Sequence, residues 1–483
     1  MAELKDANTN PWYVLMTLYG EQEGRQVDYT VHAQNRAVWN AWSCQGLKAD
    51  EAAKVANQTE VDVAETRGWT EIADEMKRLH RDIMEDRNQG SDFVYPGFPE
   101  FLEDIEFNEI QFSKAMVFIK CILTRPISFI SASFTGSANF SSVTFMQAAN
   151  FSSANFKQPA SFYASCFMRV ASFNSVTFRK NAGFRSATFS KDADFRFVAF
   201  EQSANFRFVA FNQSANFHST SFKCSANFSS ANFMQTSDFN STNFDGPAKF
   251  GKTEFGLRGS ANICVPDFTE AAFARLVSFR DADFVSHYPV LEGAEFREAV
   301  VVAAKPTKWP DIGLVLLDEV TKGAENVPTK EVAKESCATL RHALAKQGMP
   351  DEEHFFFRRE MRFASQIGTP LERLPYQAFD WFSNFGQSIA LPVRALGEVF
   401  FIGLVALFGF FAPTLGWLKA LGLAAAISFS NLLPLFGFGR TFLKDQLLDL
   451  PWTLQFLSST QTVIALPLLF FLGLALRKRF RLR

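Results

Sequence analysis

Residues 195–217 read FRFVAFEQSANFRFVAFNQSANF, a near-perfect eleven-residue duplication in which Phe recurs at steps of five and six. The beat runs back through Phe156, Phe151, Phe145, Phe140, Phe134 and Phe129 and forward to Phe250 and Phe255. Two places before each Phe stands a small residue (Ala138, Val143, Ala149, Ala154, Ala160), and one place before it Asn, Asp, Ser or Thr is frequent (Asn139, Asn150, Asp194, Asn205). A repeat this short decides the architecture before any other pattern is weighed. Its period matches neither a helix nor a flat strand. It fits a chain that turns a corner with every unit and sends one large and one small side chain inward per face. Four faces of five, six, five and six residues make a coil of 22. Coils then stack at about 4.8 Å, Phe upon Phe, and open strand edges remain only at the two ends.

Upstream, Phe101, Phe107, Phe112, Phe118 and Leu123 keep the beat. Downstream, GLRGSANICVPDF reads as a slip of two, with Ile263 taking the central place before Phe268, Phe273, Phe279 and Phe284. A slip of one then leads to Leu291, Phe296 and Val301. About nine coils follow, a rod of roughly 40 Å at the usual strand spacing.

The pattern resembles the pentapeptide-repeat proteins, whose units read roughly A-(D/N)-(L/F)-x-x, in a Phe-rich form. The resemblance implies a mainly β fold, a right-handed quadrilateral β-helix over residues 96–301. An α-helical cap over 1–95, with NRAVWNAWSCQGL and KADEAAKVANQ in one amphipathic helix and TEIADEMKRLHRDIMEDR in a second, would cover the first coil. Over 302–370 a linker leads to an αα-hairpin, for which Thr329 is a helix start, Gly348 a stop and Pro350 the first turn of the second helix.

The formal net charge is −2, so no global field steers the chain to nucleic acid or membrane. Six scattered cysteines without a CxxC favour a reducing compartment. The start, MAELKDANTNPWYV, has no charged-then-apolar leader, and no cleavable signal is expected.

From Ala395 the character changes. Two apolar stretches, about 395–417 and 454–476, are long enough to span a bilayer. The chain closes on RKRFRLR, which places that end on the cytoplasmic side. With an N-terminus also cytoplasmic, the number of crossings is even, and the middle segment LKALGLAAAISFSNLLPLFGFG is re-entrant or interfacial. Gly416, Ala420, Ala424 and Ser428 form a small-residue stripe suited to close helix approach. Residues 371–394, with Tyr376, Phe379, Trp381, Phe382 and Phe385, read as an interfacial helix. The expected location is the inner (plasma) membrane, multi-pass, with both termini cytoplasmic.

This order of parts resembles the membrane-attached branch of the pentapeptide-repeat proteins, some of which end in a segment similar to a two-helix ion-channel module. The resemblance implies a filter at LFGFG, residues 435–439, here with Leu435 and Phe436 in place of Thr and Val and with Arg440 following. Gly437 and Gly439, with Ser458, Ser459, Thr460, Gln461 and Thr462 in the last span, are the candidate pore or helix-packing residues. The polar cluster either lines an aqueous path or joins helices by hydrogen bonds.

No HExxH, GxSxG, Walker A or GxGxxG motif is present, and no cofactor or metal is expected. His354 beside Glu352, Glu353 and Arg358 reads as a solvated helix face, and Asp281 and Asp283 as outward repeat polarity. Arg394 and Glu398 read as a boundary ion pair. Some soluble pentapeptide-repeat proteins imitate DNA through an acidic rod. Here Lys and Arg outnumber Asp and Glu between Phe129 and Phe255, which disfavours that role and any nucleic-acid partner. Arg179, Lys180, Arg185, Arg196 and Arg207 are the candidate rod contacts, for a protein partner not identified by sequence or for anionic lipid. The reading is a non-enzymatic, membrane-anchored interaction scaffold. The rival is an ion-conducting homo-oligomer with the rod as its regulatory domain.

Overall fold

In the rod every coil turns four corners, and two kinds of corner explain the alternation of five and six. After faces I (Phe107 to Phe268) and III (Phe118 to Phe279), which take five residues, the corner residue adopts left-handed backbone: Ser131, Ser142, Ser153, Ser175 and Ser186 have φ of 58, 55, 60, 58 and 60°. Faces II (Phe112 to Phe296) and IV (Leu123 to Phe284) take six residues and turn without one, save at Gly256 (φ 99°), where the extra residues after Phe255 begin. The Asn or Asp before the Phe serves the short corner. Asn139, Asn150, Asn205 and Asn227 accept from the backbone N–H two residues on, at 3.0, 2.9, 3.1 and 3.0 Å.

A computed structural model describes residues 4–23, 26–90, 93–258, 264–310 and 330–480. Four parallel sheets of eight to ten short strands enclose the rod. Register is 22 residues per coil, Ala149 pairing with Ala171 and Phe156 with Phe178. Inside, each Phe lies parallel to its neighbour one coil away and edge-on to a ring from another face. Phe173 stacks on Phe195 at 4.8 Å and 1°, and meets Phe184 at 5.3 Å and 88°. Both arrangements suit the ring quadrupole. The small residue two places earlier is buried beside them, as at Ala171 and Ala182.

The first coil's edge is closed by side chains and one strand. Lys5–Asp6 pairs with Ile110–Gln111 on face II. Helices α1 (Pro11–Met16), α2 (Tyr29–Cys44), α3 (Ala49–Thr59) and α4 (Trp69–Arg87) form the cap. From α2, Asn40 Oδ1 accepts from the Ile122 N–H at 2.9 Å and Trp39 Nε1 donates to the Ile122 carbonyl at 3.2 Å. Edge groups that would otherwise pair with another chain are thereby satisfied. The first expected helix is two, α2 and α3, because Gly46 sits between them. A Cβ there would stand 2.5 Å from the Phe101 ring. Phe101 is therefore a cap contact, set edge-on to Trp42 at 6.1 Å, and the strands begin at Ile105.

Two register expectations need correction. Phe268 occupies face I, stacked on Phe239 at 4.9 Å and 5°, with Pro266 paired to Ser237. Seven extra residues thus precede it rather than two, and Ile263 lies outside the described residues. The last inward residue on face III is Val302, paired with Phe279, while Val301 pairs with Ser278. Val302 is six residues after Phe296, as the step from face II to face III requires. Leu291 does follow a slip of one, since Val290 bridges Asp267.

At the far end Trp309 lies over Phe284 at 4.6 Å and edge-on to Phe356 at 4.8 Å. Phe356 belongs to α6 (Pro350–Ala364), which follows α5 (Lys330–Lys346) after a left-handed Gly348. Thr329 lies outside the described residues. Asp283 is covered rather than outward-facing: Arg258 donates to both its oxygens at 2.9 and 2.8 Å, and Lys308 lies 3.4 Å away. Asp281 keeps its outward position, 3.2 Å from Lys305.

The chain divides into two compact units, Met1–Phe357 and Arg358–Arg483. The second contains α7 (Pro370–Ser383), α8 (Ala390–Leu415), α9 (Trp417–Leu432), the short α10 (Phe438–Phe442) and α11 (Lys444–Leu448), and α12 (Trp452–Arg479). Helices α8 and α12 are apolar over lengths sufficient to cross a membrane, with only 17% and 22% of those windows buried. The 16-residue α9 is shorter, about 24 Å at the helical rise. It runs back along α8: Ala420 and Ala424 meet Leu407 and Phe411, and Ser428 reaches Phe400. Residues 433–450 then return, so that Leu443, Leu447 and Leu450 join the same cluster. Helix α12 starts there and passes Val399 at Gln461. Its Phe471 stacks on Phe379 of α7 at 5.5 Å. The two long helices are therefore antiparallel.

Candidate functional site

Polar atoms converge where α8, α9 and α12 cross. Gln461 is 3% exposed and Ser428 fully buried, and Asn431 and Ser458 are covered nearly as well. Gln461 Nε2 donates to the Val399 carbonyl at 2.8 Å and to Ser428 Oγ at 3.0 Å. Its Oε1 accepts from Asn431 Nδ2 at 3.0 Å, and the same amide donates to Ser458 Oγ at 2.7 Å. Ser428 Oγ donates to the Phe400 carbonyl at 2.9 Å. Gly403 makes room, since a Cβ there would overlap the Gln461 amide.

Of the five polar residues expected in the last span, only Ser458 and Gln461 enter this network, three apart on one helix face. Ser459, Thr460 and Thr462 turn back to carbonyls one turn earlier, those of Gln455, Phe456 and Ser458, at 2.9, 2.9 and 3.1 Å. The arrangement joins three helices by hydrogen bonds. Asn431 and Gly403 escaped sequence reading. The available signal was an Asn three residues after Ser428 in an otherwise apolar helix.

The LFGFG stretch folds into helical turns. The Gly437 carbonyl accepts from the Thr441 N–H at 3.0 Å and that of Gly439 from Leu443 at 3.2 Å. These oxygens are engaged along the chain and do not form the open row that ion coordination requires. Gly439 is a packing glycine, because a Cβ would stand 2.6 Å from Ser430 Oγ. Gly437 has φ of 68° and open space around it. Arg394 and Glu398 do pair, at 2.9 Å on an exposed helix face.

On the rod, Arg179, Lys180 and Arg185 are exposed and Arg207 half-exposed. Arg185 and Arg207 stand one coil apart on face III, their guanidinium carbons 5.7 and 5.1 Å from the centre of the Phe208 ring. Arg196 is separate, on face I, held by both oxygens of Asp194 at 2.9 and 2.8 Å. No group of three or more His, Cys, Asp and Glu among the described residues is placed to hold a metal. Burial pushes the Cys44 and Cys264 thiols up to about 12, which keeps them protonated and poor nucleophiles.

Compared with known proteins, residues 118–165 match the family model of pentapeptide repeats (9 copies). No curated protein and no solved structure matches the chain. The segment matched runs from Phe118 on face III of the first coil, through the second coil, to face III of the third, and the same stacking continues to Phe296. The chain carries a pentapeptide-repeat β-helix.

Proposed function

We propose that this pentapeptide-repeat chain is a membrane-anchored, non-catalytic scaffold whose β-helix presents outward side chains to partners. The observation that carries the anchoring is the exposure of α8 and α12. Phe401, Ile402 and Val405 are 63, 60 and 54% exposed, and Phe456, Val463 and Phe470 are 70, 67 and 63% exposed. Apolar rows of that extent suit hydrocarbon rather than water. Helix α7 adds Leu371, Leu374 and Trp381, 86, 65 and 71% exposed, as an interfacial helix would. The scaffold reading rests on a rigid wall whose inward positions are consumed by Phe and Ala, leaving the outward, mostly polar positions for recognition.

Expression with membrane fractionation tests the anchor. The chain should stay in the membrane after alkaline carbonate and leave it only with detergent. Release by carbonate would end this reading. Affinity capture with the detergent-solubilised full chain, against a version with rod-surface residues shuffled, tests the scaffold. Identical capture by the two would remove it.

One feature favours the channel-like alternative: between two antiparallel long helices the chain enters along α9 and returns along residues 433–450. Ion flux through liposomes holding the purified chain decides between the two. Flux abolished by Gln461→Leu, in protein that remains inserted, makes the helices conductive. No flux leaves them an anchor.

A further inference from the structure

We propose that faces II and III of the rod, around coils three to five, form a docking surface for anionic lipid headgroups. Residues 110–191 contain nine Lys and Arg and no Asp or Glu, whereas residues 192–300 contain nine Lys and Arg and thirteen Asp and Glu. The rod is thus electrically polarised along its axis. The fold gathers part of the excess in one place. Lys157 and Arg179 are successive rungs of face II, Lys180 lies beside Arg179, and Arg185 and Arg207 are successive rungs of face III, the next face around the coil.

These five have no ion-pair partner among the described residues. Several basic residues nearer the two ends of the rod do. Lys114 and Lys120, nearer the cap, lie 3.6 and 3.2 Å from Glu23 and Glu60. Arg258, Arg275 and Arg297, nearer the far end, are paired with Asp283, Glu298 and Glu295. Five unpaired basic groups gathered on two adjoining faces are a surface left open for external anions.

Aromatic rings lie within the same patch. Tyr163, 47% exposed, holds the face III position one coil before Arg185, and Phe208 is 46% exposed. Phe208 occupies a left-handed corner, φ 59°, where the equivalent residues on the coils before and after are Ser186 and Ser230. A large apolar side chain there neither fills the core nor suits the backbone. Beside Arg185 and Arg207 it has the composition of a bilayer-contacting surface, basic groups for phosphates and rings for the headgroup layer.

The choice of lipid over an acidic protein rests on the anchoring proposed above, which holds the rod within reach of the bilayer at high effective concentration. The test uses the full chain in nanodiscs of phosphatidylcholine, with or without about 30% phosphatidylserine at physiological salt. Lysine acylation is read residue by residue by mass spectrometry. Lys157 and Lys180 should react about fivefold more slowly in anionic discs than in neutral ones, while Lys249 and Lys252 should not change. The double reversal Arg185→Glu, Arg207→Glu should abolish the difference, with the rod's circular dichroism unchanged.

Equal reactivity in the two discs overturns the inference. So does protection by an added acidic peptide in neutral discs without protection by anionic lipid, which would assign the patch to a protein. Failure to enter discs of either kind would remove the anchoring reading instead. The same chain would then be sedimented with neutral or anionic vesicles. Binding that requires phosphatidylserine and is lost on reversal supports the lipid surface by itself, and its absence overturns it.

Discussion

Gln461 Nε2 donates to the backbone carbonyl of Val399 at 2.8 Å, across 62 residues of chain. The contact fixes the register of the two long apolar helices, and Gly403 allows their close approach there. Gly403→Ala should drive the Gln461 amide out of place and lower stability by about 1–2 kcal/mol. Gly409→Ala, with nothing within 4 Å of the added carbon, should be neutral or slightly stabilising. Thermal unfolding in detergent, followed by helical circular dichroism, compares them.

Polar residues of the last helix should divide in two on substitution. Gln461→Leu leaves the Asn431 amide and Ser428 hydroxyl short of a partner and should cost about 1–2 kcal/mol. Ser459→Ala and Thr460→Ala remove only bonds to carbonyls of their own helix and should change stability by less than about 0.5 kcal/mol. The same detergent melts report the difference.

Two phenylalanines one coil apart but at different positions of the repeat give a sharp contrast. Phe184 is fully buried, stacked on Phe162 and Phe206 at 4.8 Å, and Phe184→Ala should cost about 3–5 kcal/mol. Phe208→Ser restores the residue type of the equivalent corners and should be neutral or stabilising by up to about 1 kcal/mol. Thermal denaturation of the β signal separates the two.

On face I, burial first and the neighbouring Asp267 carboxylate after it raise the Asp238 pKa above its ordinary value. The native state therefore holds this proton more tightly than the unfolded chain does. Stability is fully present below the unfolded pKa near 3.8 and is lost as pH rises through the raised native value. Asp238→Asn keeps an acceptor for the Asn240 N–H, as Asn216 does for His218 one coil away. It should raise the unfolding temperature at pH 7, with the gain vanishing toward pH 3.

The cap responds to acid with the opposite sign. Burial lowers the pKa of His32 and His80, and the two imidazoles meet the carbonyls of Ile119 and Pro11, each at 2.9 Å. The unfolded chain takes up these protons first, so stability is full above the unfolded value of 6.5 and falls as pH drops below it. Fluorescence of Trp12, Trp39 and Trp42 should show the cap loosening between pH 7 and 5 before the β-helix does. His80→Gln should shallow that slope.

The rod was legible because one side-chain type at one spacing has one use. Even its corrections were written in the beat. Placing Ile263 before Phe268 puts a step of five before another step of five, Phe268 to Phe273, and strict alternation forbids that. Val302 rather than Val301 follows from the same rule. Phe101 kept the spacing by coincidence, and only the cap's Gly46 and Trp42 explain its place. In the helical unit the sequence marks which residues are polar but not their direction. Rotation about α12 sends Gln461 inward and Ser459 outward, and that depends on partners 30 to 60 residues away. LFGFG shows the same limit, since Gly and Phe fit a helical turn as readily as an extended row of carbonyls.

The extra residues between Phe255 and Phe268 leave the stacking of Phe268 on Phe239 undisturbed. The strands on either side keep their register across these residues, so length along the axis does not follow residue number. It follows the count of completed turns and changes only in whole steps, each about 4.8 Å. The separation of the cap from Trp309 is therefore a digital quantity. Duplication of a 22-residue segment would shift it by one step and leave both ends chemically unaltered, which makes this rod a ruler that can be lengthened without being redesigned.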